Sequence, residues 1–250
     1  MDASLLLLTL IGFLAALMGS MLGLGGGFVL VPMLTLLGTP MHEAVGTSLT
    51  AIVFNSAMAT YTYSRRKLTR FKLGLTLELA TVPGAILGSL IALSIDERTL
   101  KIVFAAFLVF VAYRMFVGKN SENYDFKLKH LALGYLSCFF VGMMSGMLGV
   151  GGGVLKVPIL VLVMNIEPHI AVGTSAFMVG VTAFMGSIAY WRSGILNPVK
   201  VAAIVPGVLV GAMIGPRIST RLKGAALRKI FSLVMIAFTV LMIVQAFGII

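Results

Sequence analysis

The sequence predicts an all-α, polytopic membrane protein made of two pseudo-symmetric repeats. Three observations carry that expectation: apolar stretches that use up almost the whole chain, two copies of one glycine run, and a set of landmarks that follows each copy in the same order. Of 250 residues, 59% are apolar and 11% charged, against about 25% charged in an ordinary soluble domain. No water-facing surface can be assembled from that mixture.

A hydrocarbon core about 30 Å thick takes roughly 20 apolar residues of helix. Ala44 to Ser64, Leu73 to Leu93, Ile102 to Val117, Leu131 to Leu148, Ile170 to Trp191, Val199 to Pro216 and Ile230 to Ile250 approach or reach that length with few charges. Ser4 to Met18 has no basic n-region ahead of it and reads as a retained membrane segment, with no cleavage expected. The longest polar stretch, Gly118 to His130, leaves no room for a soluble catalytic domain. The single cysteine, Cys138, excludes an intramolecular disulfide and any CxxC metal or redox motif. A formal charge of +11 sits in short loops between spans, as membrane orientation alone produces, so the bilayer and not nucleic acid is the expected partner.

The repeat shows in its spacing. Met21-Leu22-Gly23-Leu24-Gly25-Gly26-Gly27 returns as Met147-Leu148-Gly149-Val150-Gly151-Gly152-Gly153, Pro32 matches Pro158, and His42 with Ala44-Val45-Gly46-Thr47-Ser48 matches His169 with Ala171-Val172-Gly173-Thr174-Ser175. Val82-Pro83-Gly84 with Gly88 then pairs with Val205-Pro206-Gly207 with Gly211. The expected organisation is a first repeat over 1–117, a cytoplasmic linker over 118–130 and a second repeat over 131–250.

Charge placement favours inverted over parallel repeats. After each glycine run, Phe28 to Gly38 and Val154 to Met164 are too short to span. If each pairs with the preceding segment as a re-entrant hairpin or as two short crossings, each half crosses an odd number of times. Thirteen Lys/Arg, in loops 65–72, 118–130 and 217–229, then lie inside, and Arg98, Lys101, Arg192 and Lys200 lie outside. The parallel alternative gives ten against seven, a weaker match to the positive-inside bias.

Irregular backbone survives at membrane depth only inside protein or beside a wet cavity. The glycine runs are therefore candidates for a site at Gly25, Gly26, Gly27, Gly151, Gly152 and Gly153, where amides at a helix start favour an anion; close helix packing by small residues is the rival. Lys156 is a cation within an apolar segment, suited to an anion or else snorkelling to the interface; Leu30 is its counterpart. Thr47, Ser48, Thr174 and Ser175 either cap the helices that follow or offer hydroxyls to substrate oxygens, with Asn55, opposite Thr182, adding an amide.

Glu78 is the one acid well inside a predicted span. It is a coupling candidate for protons, with an interfacial pair to Arg70 or Lys72 as the alternative. His42 and His169 fit helix-entry hydrogen bonds better than a metal site, and Glu43 and Glu167 fit solvated positions. Gly84, Gly88, Gly207 and Gly211 read as packing positions, and Pro83 and Pro206 as kinks.

The repeated Leu-Gly-x-Gly-Gly-Gly, with a proline nine residues after its first glycine and then His-x-Ala-Val-Gly-Thr-Ser, resembles the TauE/SafE family of sulfite and organosulfonate permeases from Gly19 to Phe247. The resemblance implies a multi-pass inner-membrane carrier of small sulfur-containing anions, with functional regions at Gly23 to Gly27, Gly46 to Ser48, Gly149 to Gly153 and Gly173 to Ser175.

A secondary transporter with alternating access is thus the expected activity, and a passive anion channel the alternative. Neither a cofactor nor a metal is expected, no Gly-x-x-x-x-Gly-Lys-Ser/Thr loop occurs, and no nucleophile, base and orienting group fall at matched positions for an enzyme. A homo-oligomer is compatible with the sequence.

Overall fold

A computed structural model describes residues 3–117, 131–164 and 166–219, with positions 236, 240 and 244 beyond them. The expected linker 118–130, the basic run from 220 and, apart from those three positions, the expected last span Ile230 to Ile250 lie outside the described residues. Every regular element among the described residues is helical: α1 (Ala3–Leu22), α2 (Gly27–Leu36), α3 (Met41–Arg65), α4 (Phe71–Ser94), α5 (Glu97–Val117), α6 (Leu131–Leu148), α7 (Gly153–Pro158) continuing into a π turn (Ile159–Val163), α8 (Pro168–Arg192) and α9 (Pro198–Ser219). Leu5–Leu22, α4, α8 and α9 are long and apolar enough to cross a bilayer. Large aliphatic side chains such as Leu6, Leu10, Leu79 and Leu90 face outward while Thr47, Ser48, Asn55, Glu78, Lys156 and Thr182 are buried. That distribution suits a lipid solvent and not water, and the chain is a multi-pass membrane protein.

Packing is reciprocal between the halves. α1 lies along α9, and α6 along α4, in both cases parallel: a methyl group on Gly207 or Gly211 would strike the carbonyls of Thr9 and Phe13, and one on Gly84 or Gly88 those of Phe139 and Met143. The small-xxx-small pairs thus bring backbones into direct contact, as expected of them. α3 and α8 run antiparallel along one another, with Gly46 against Tyr190, Gly180 against Ser56 and Gly173 against Tyr63.

The helix starts are held by other elements. The Met41 amide donates to Glu97 Oε1 at 3.0 Å, and His42 Nε2 reaches the Ala92 and Ile95 carbonyls at the end of α4, each at 3.0 Å. Asp96 caps α5 through the Thr99 hydroxyl and amide, which hold its carboxyl below the usual carboxylate range.

The glycine runs are sharp turns within the bundle. Gly23, Gly25 and Gly26 have φ of 69°, 87° and 89°, and Gly149, Gly151 and Gly152 have 70°, 76° and 73°. This is left-handed backbone, costly for any residue with a Cβ. The short helices that leave the turns differ by one residue, ten in α2 against eleven from Gly153 to Val163. The repeat offset grows by one over the same interval, from Pro32/Pro158 to His42/His169. A π turn closes its hydrogen bond over one more residue than an α turn, so the second half takes up its extra residue there, with the Met164 amide donating to the Ile159 carbonyl at 3.0 Å.

Two outcomes follow for stability. Gly207→Val should lower the unfolding temperature of the detergent-purified protein, overpacking costing about 1–3 kcal/mol or more, whereas lipid-facing Leu79→Ala should leave it nearly unchanged. Gly151→Ala should destabilise by roughly 1–2 kcal/mol through its backbone alone, and adding Val179→Ala, which removes the side chain its new methyl would strike, should restore only part of the loss. Full recovery in the double variant would show that crowding and not backbone conformation is the constraint.

Candidate functional site

The two glycine turns meet. An added Cβ on Gly25 would lie 2.7 Å from Val179 Cγ1 and 3.0 Å from Ile52 Cγ2, and one on Gly151 2.8 Å and 3.2 Å from the same two atoms. Ile52 and Val179, counterparts in α3 and α8, are fully buried and plug the space between the turns. Gly27 also packs on the Gly149 carbonyl, and Gly153 on that of Gly23.

The Gly-Thr-Ser hydroxyls serve this junction. Ser48 Oγ donates to the Gly149 carbonyl at 2.7 Å, and Ser175 Oγ to the Gly23 carbonyl at 2.8 Å, so each half ties the other's turn. The capping alternative for these residues is corrected here. Helices α3 and α8 begin at Met41 and Pro168, with Pro40 and Glu167 at the cap positions and no side-chain cap, which puts Thr47, Ser48, Thr174 and Ser175 in the second turn. Thr174 Oγ1 accepts the Arg70 amide at 3.0 Å, and Asn55 Nδ2 donates to the Gly25 carbonyl at 2.8 Å. Tyr63 and Tyr190 add a second matched pair, donating to the Ser20 carbonyl at 2.9 Å and the Gly146 carbonyl at 3.0 Å.

Gly26 and Gly152 occupy the cap positions of α2 and α7 in left-handed conformation and bring no side chain to the helix start. The buried Thr47 Oγ1, Asn55 Oδ1, Ser56 Oγ and Ser145 Oγ make no hydrogen bond among the described residues.

Charge is concentrated beside the second turn. Lys156, fully buried, donates from Nζ to Glu78 Oε1 at 2.7 Å and bonds Thr182 Oγ1, which is itself 2.7 Å from Glu78 Oε2 and 3.0 Å from the Met178 carbonyl. Lys156 therefore does not snorkel, and Glu78 pairs with it and not with Arg70 or Lys72. Removing a charge from water costs several kcal/mol, so a lone cation and a lone anion in neighbouring apolar segments neutralise one another. Lys156 Cε lies 3.5 Å, and Ser145 Cβ 3.3 Å, from where a Gly152 methyl would be, so pair, turn and unbonded hydroxyl adjoin. The matched positions of Lys156, Glu78 and Thr182 in the other copy of the repeat are Leu30, Val201 and Asn55, and the cluster has no mirror image.

The remaining polar candidates are peripheral. Glu43, expected at a solvated position, is instead buried and pairs with Lys200 at 3.0 Å, whereas His169 and Glu167 are exposed, 3.7 Å apart. No group of three or more metal-ligating side chains occurs among the described residues. A cavity of about 420 Å³ lined by Thr50, Phe54, Phe184 and Trp191 opens between α3 and α8, away from the turns.

Thr182, Ser145, Ile52 and Val179 are what sequence reasoning left outside the site. Thr182 had one signal, its register opposite Asn55; the Lys156–Glu78 pair had another, being the opposite charges left inside apolar segments of different halves. Ser145 and the Ile52/Val179 plug had none, since they depend on how the turns meet.

The chain matches the family described as sulfite exporter TauE/SafE over residues 8–242. It is 28% identical over 260 residues to the probable membrane transporter protein YunE of Bacillus subtilis, covering 93% of this chain and 95% of that protein. It is 27% identical over 243 residues to a probable membrane transporter protein of Methanocaldococcus jannaschii, covering 90% of each, and 28% identical over 243 residues to one of Xylella fastidiosa. No solved structure matches. A family match that takes in both glycine turns, on a helical bundle with its apolar residues outside and its polar residues inside, places the chain in the TauE/SafE family of membrane transporters.

Proposed function

We propose that this transporter moves small sulfur-containing anions, sulfite or sulfonates, by alternating access around the junction of two inverted halves, 1–117 and 131–250, joined by a cytoplasmic linker over 118–130 in the cell inner membrane. The observation that carries the anion reading is Lys156, a buried ammonium beside the Gly152 turn with an unbonded serine hydroxyl next to it. An ammonium has three N–H donors, and Glu78 and Thr182 engage two. Sulfite and sulfonate oxygens suit the third together with the Ser145 hydroxyl and the turn's amides. The family's name supports the same substrate class.

Inversion is supported by the antiparallel course of α3 and α8. Counterpart helices pointing in opposite directions are related by an axis in the membrane plane, the arrangement in which one half rocks against the other. The Ile52/Val179 plug at the junction fits a carrier that opens to one side at a time.

Purified protein should bind members of a sulfite, sulfonate, sulfate and carboxylate panel, with Lys156→Met/Glu78→Gln losing that binding. The double variant removes both charges, so no unpaired ion is left to unfold the protein; undiminished binding would take Lys156 out of the site. In vesicles, saturable uptake stimulated by counter-substrate is expected, whereas macroscopic conductance would make the protein an anion channel.

A further inference from the structure

We infer that Glu78 is a counter-ion which the substrate displaces only when a proton joins its carboxylate, so that transport carries about one proton with each anion. The inference rests on the anion site proposed at Lys156. With no substrate, Lys156 and Glu78 form a buried neutral pair. Adding an anion to an ionised pair would leave a net negative charge where it is poorly solvated, at a cost of several kcal/mol.

Protonation removes that obstacle. The carboxylate, a proton and the anion become a carboxylic acid and a lysine–anion pair, and the site stays neutral in both states. Thr182 is placed for the exchange: its hydroxyl lies between the Lys156 ammonium and Glu78 Oε2, so it is able to accept from a protonated Glu78 as well as donate to an ionised one.

The surroundings hold few competing charges. Of the helices packed on α4, α6 presents Cys138, close enough to feel both charges, and its other titratable side chain is Tyr135. α8 presents Thr182; its ionisable residues His169 and Arg192 lie at its ends, and Tyr190 bonds the Gly146 carbonyl. On α4 itself Lys72 lies in the first turn, at the entrance.

The test uses methanesulfonate, whose charge is constant across the range examined, with sulfite as a second probe after subtraction of its own ionisation. Wild-type protein should take up about one proton per anion bound in weak buffer, and its affinity should weaken by up to about tenfold per pH unit as pH rises. Glu78→Gln, which keeps an oxygen for Lys156, should bind with an affinity independent of pH and take up no proton.

Anion binding without proton uptake by the wild type, or an unchanged pH slope in Glu78→Gln, overturns the coupling and leaves the anion site standing. Binding retained in Lys156→Met/Glu78→Gln, or no binding of either probe at any pH, overturns the site and the coupling with it. Should Glu78→Gln fail a thermal-unfolding check, the wild-type proton count decides alone.

Discussion

The structure depends on one constraint: two stretches of irregular backbone lie inside an apolar layer, and their polar groups must find partners in protein. An unmet backbone group in hydrocarbon costs several kcal/mol. Here the carbonyls of Gly149 and Gly23 are taken by Ser48 and Ser175, each reaching from the opposite half. The same crossing over governs the long helices, since α1 packs on α9 and α6 on α4. Glycine at the turn and at the helix contacts serves different ends, left-handed backbone in the first and direct backbone approach in the second.

Among these crossed contacts the charges are placed one-sidedly. Lys156, Glu78 and Thr182 occupy the positions held by Leu30, Val201 and Asn55 across the junction. The glycine turns and their serine ties occur twice while the buried charge pair occurs at one of them, so any electrostatic attraction for a substrate is centred beside the Gly152 turn. Ile52 and Val179 fill the space where Gly25 and Gly151 approach one another.

Much of the helical architecture was legible because membrane helices must be long, apolar and nearly free of charge. The short post-glycine helices were recognised by their length, and the pairing of Gly84 and Gly207 with other helices by their small-residue register. What escaped the sequence was tertiary in origin. Whether Ser48 caps its own helix or ties a carbonyl a hundred residues away is invisible in local pattern, as both uses want a small hydroxyl near a helix start. The partner of Glu78 was missed for a similar reason: Arg70 and Lys72 are near in sequence, and Lys156 is near only in space. The one-residue change of offset was visible, yet only the backbone shows it absorbed as a π turn.

The crossing over of the halves also dictates an order of assembly. α1 is synthesised well before the helix it lies along, which begins at Pro198, and before the serine that satisfies its turn, Ser175. Contacts so distant in sequence form late. Until α8 and α9 have been synthesised, α1 therefore lacks the helix it packs along and the Gly23 carbonyl lacks its serine partner.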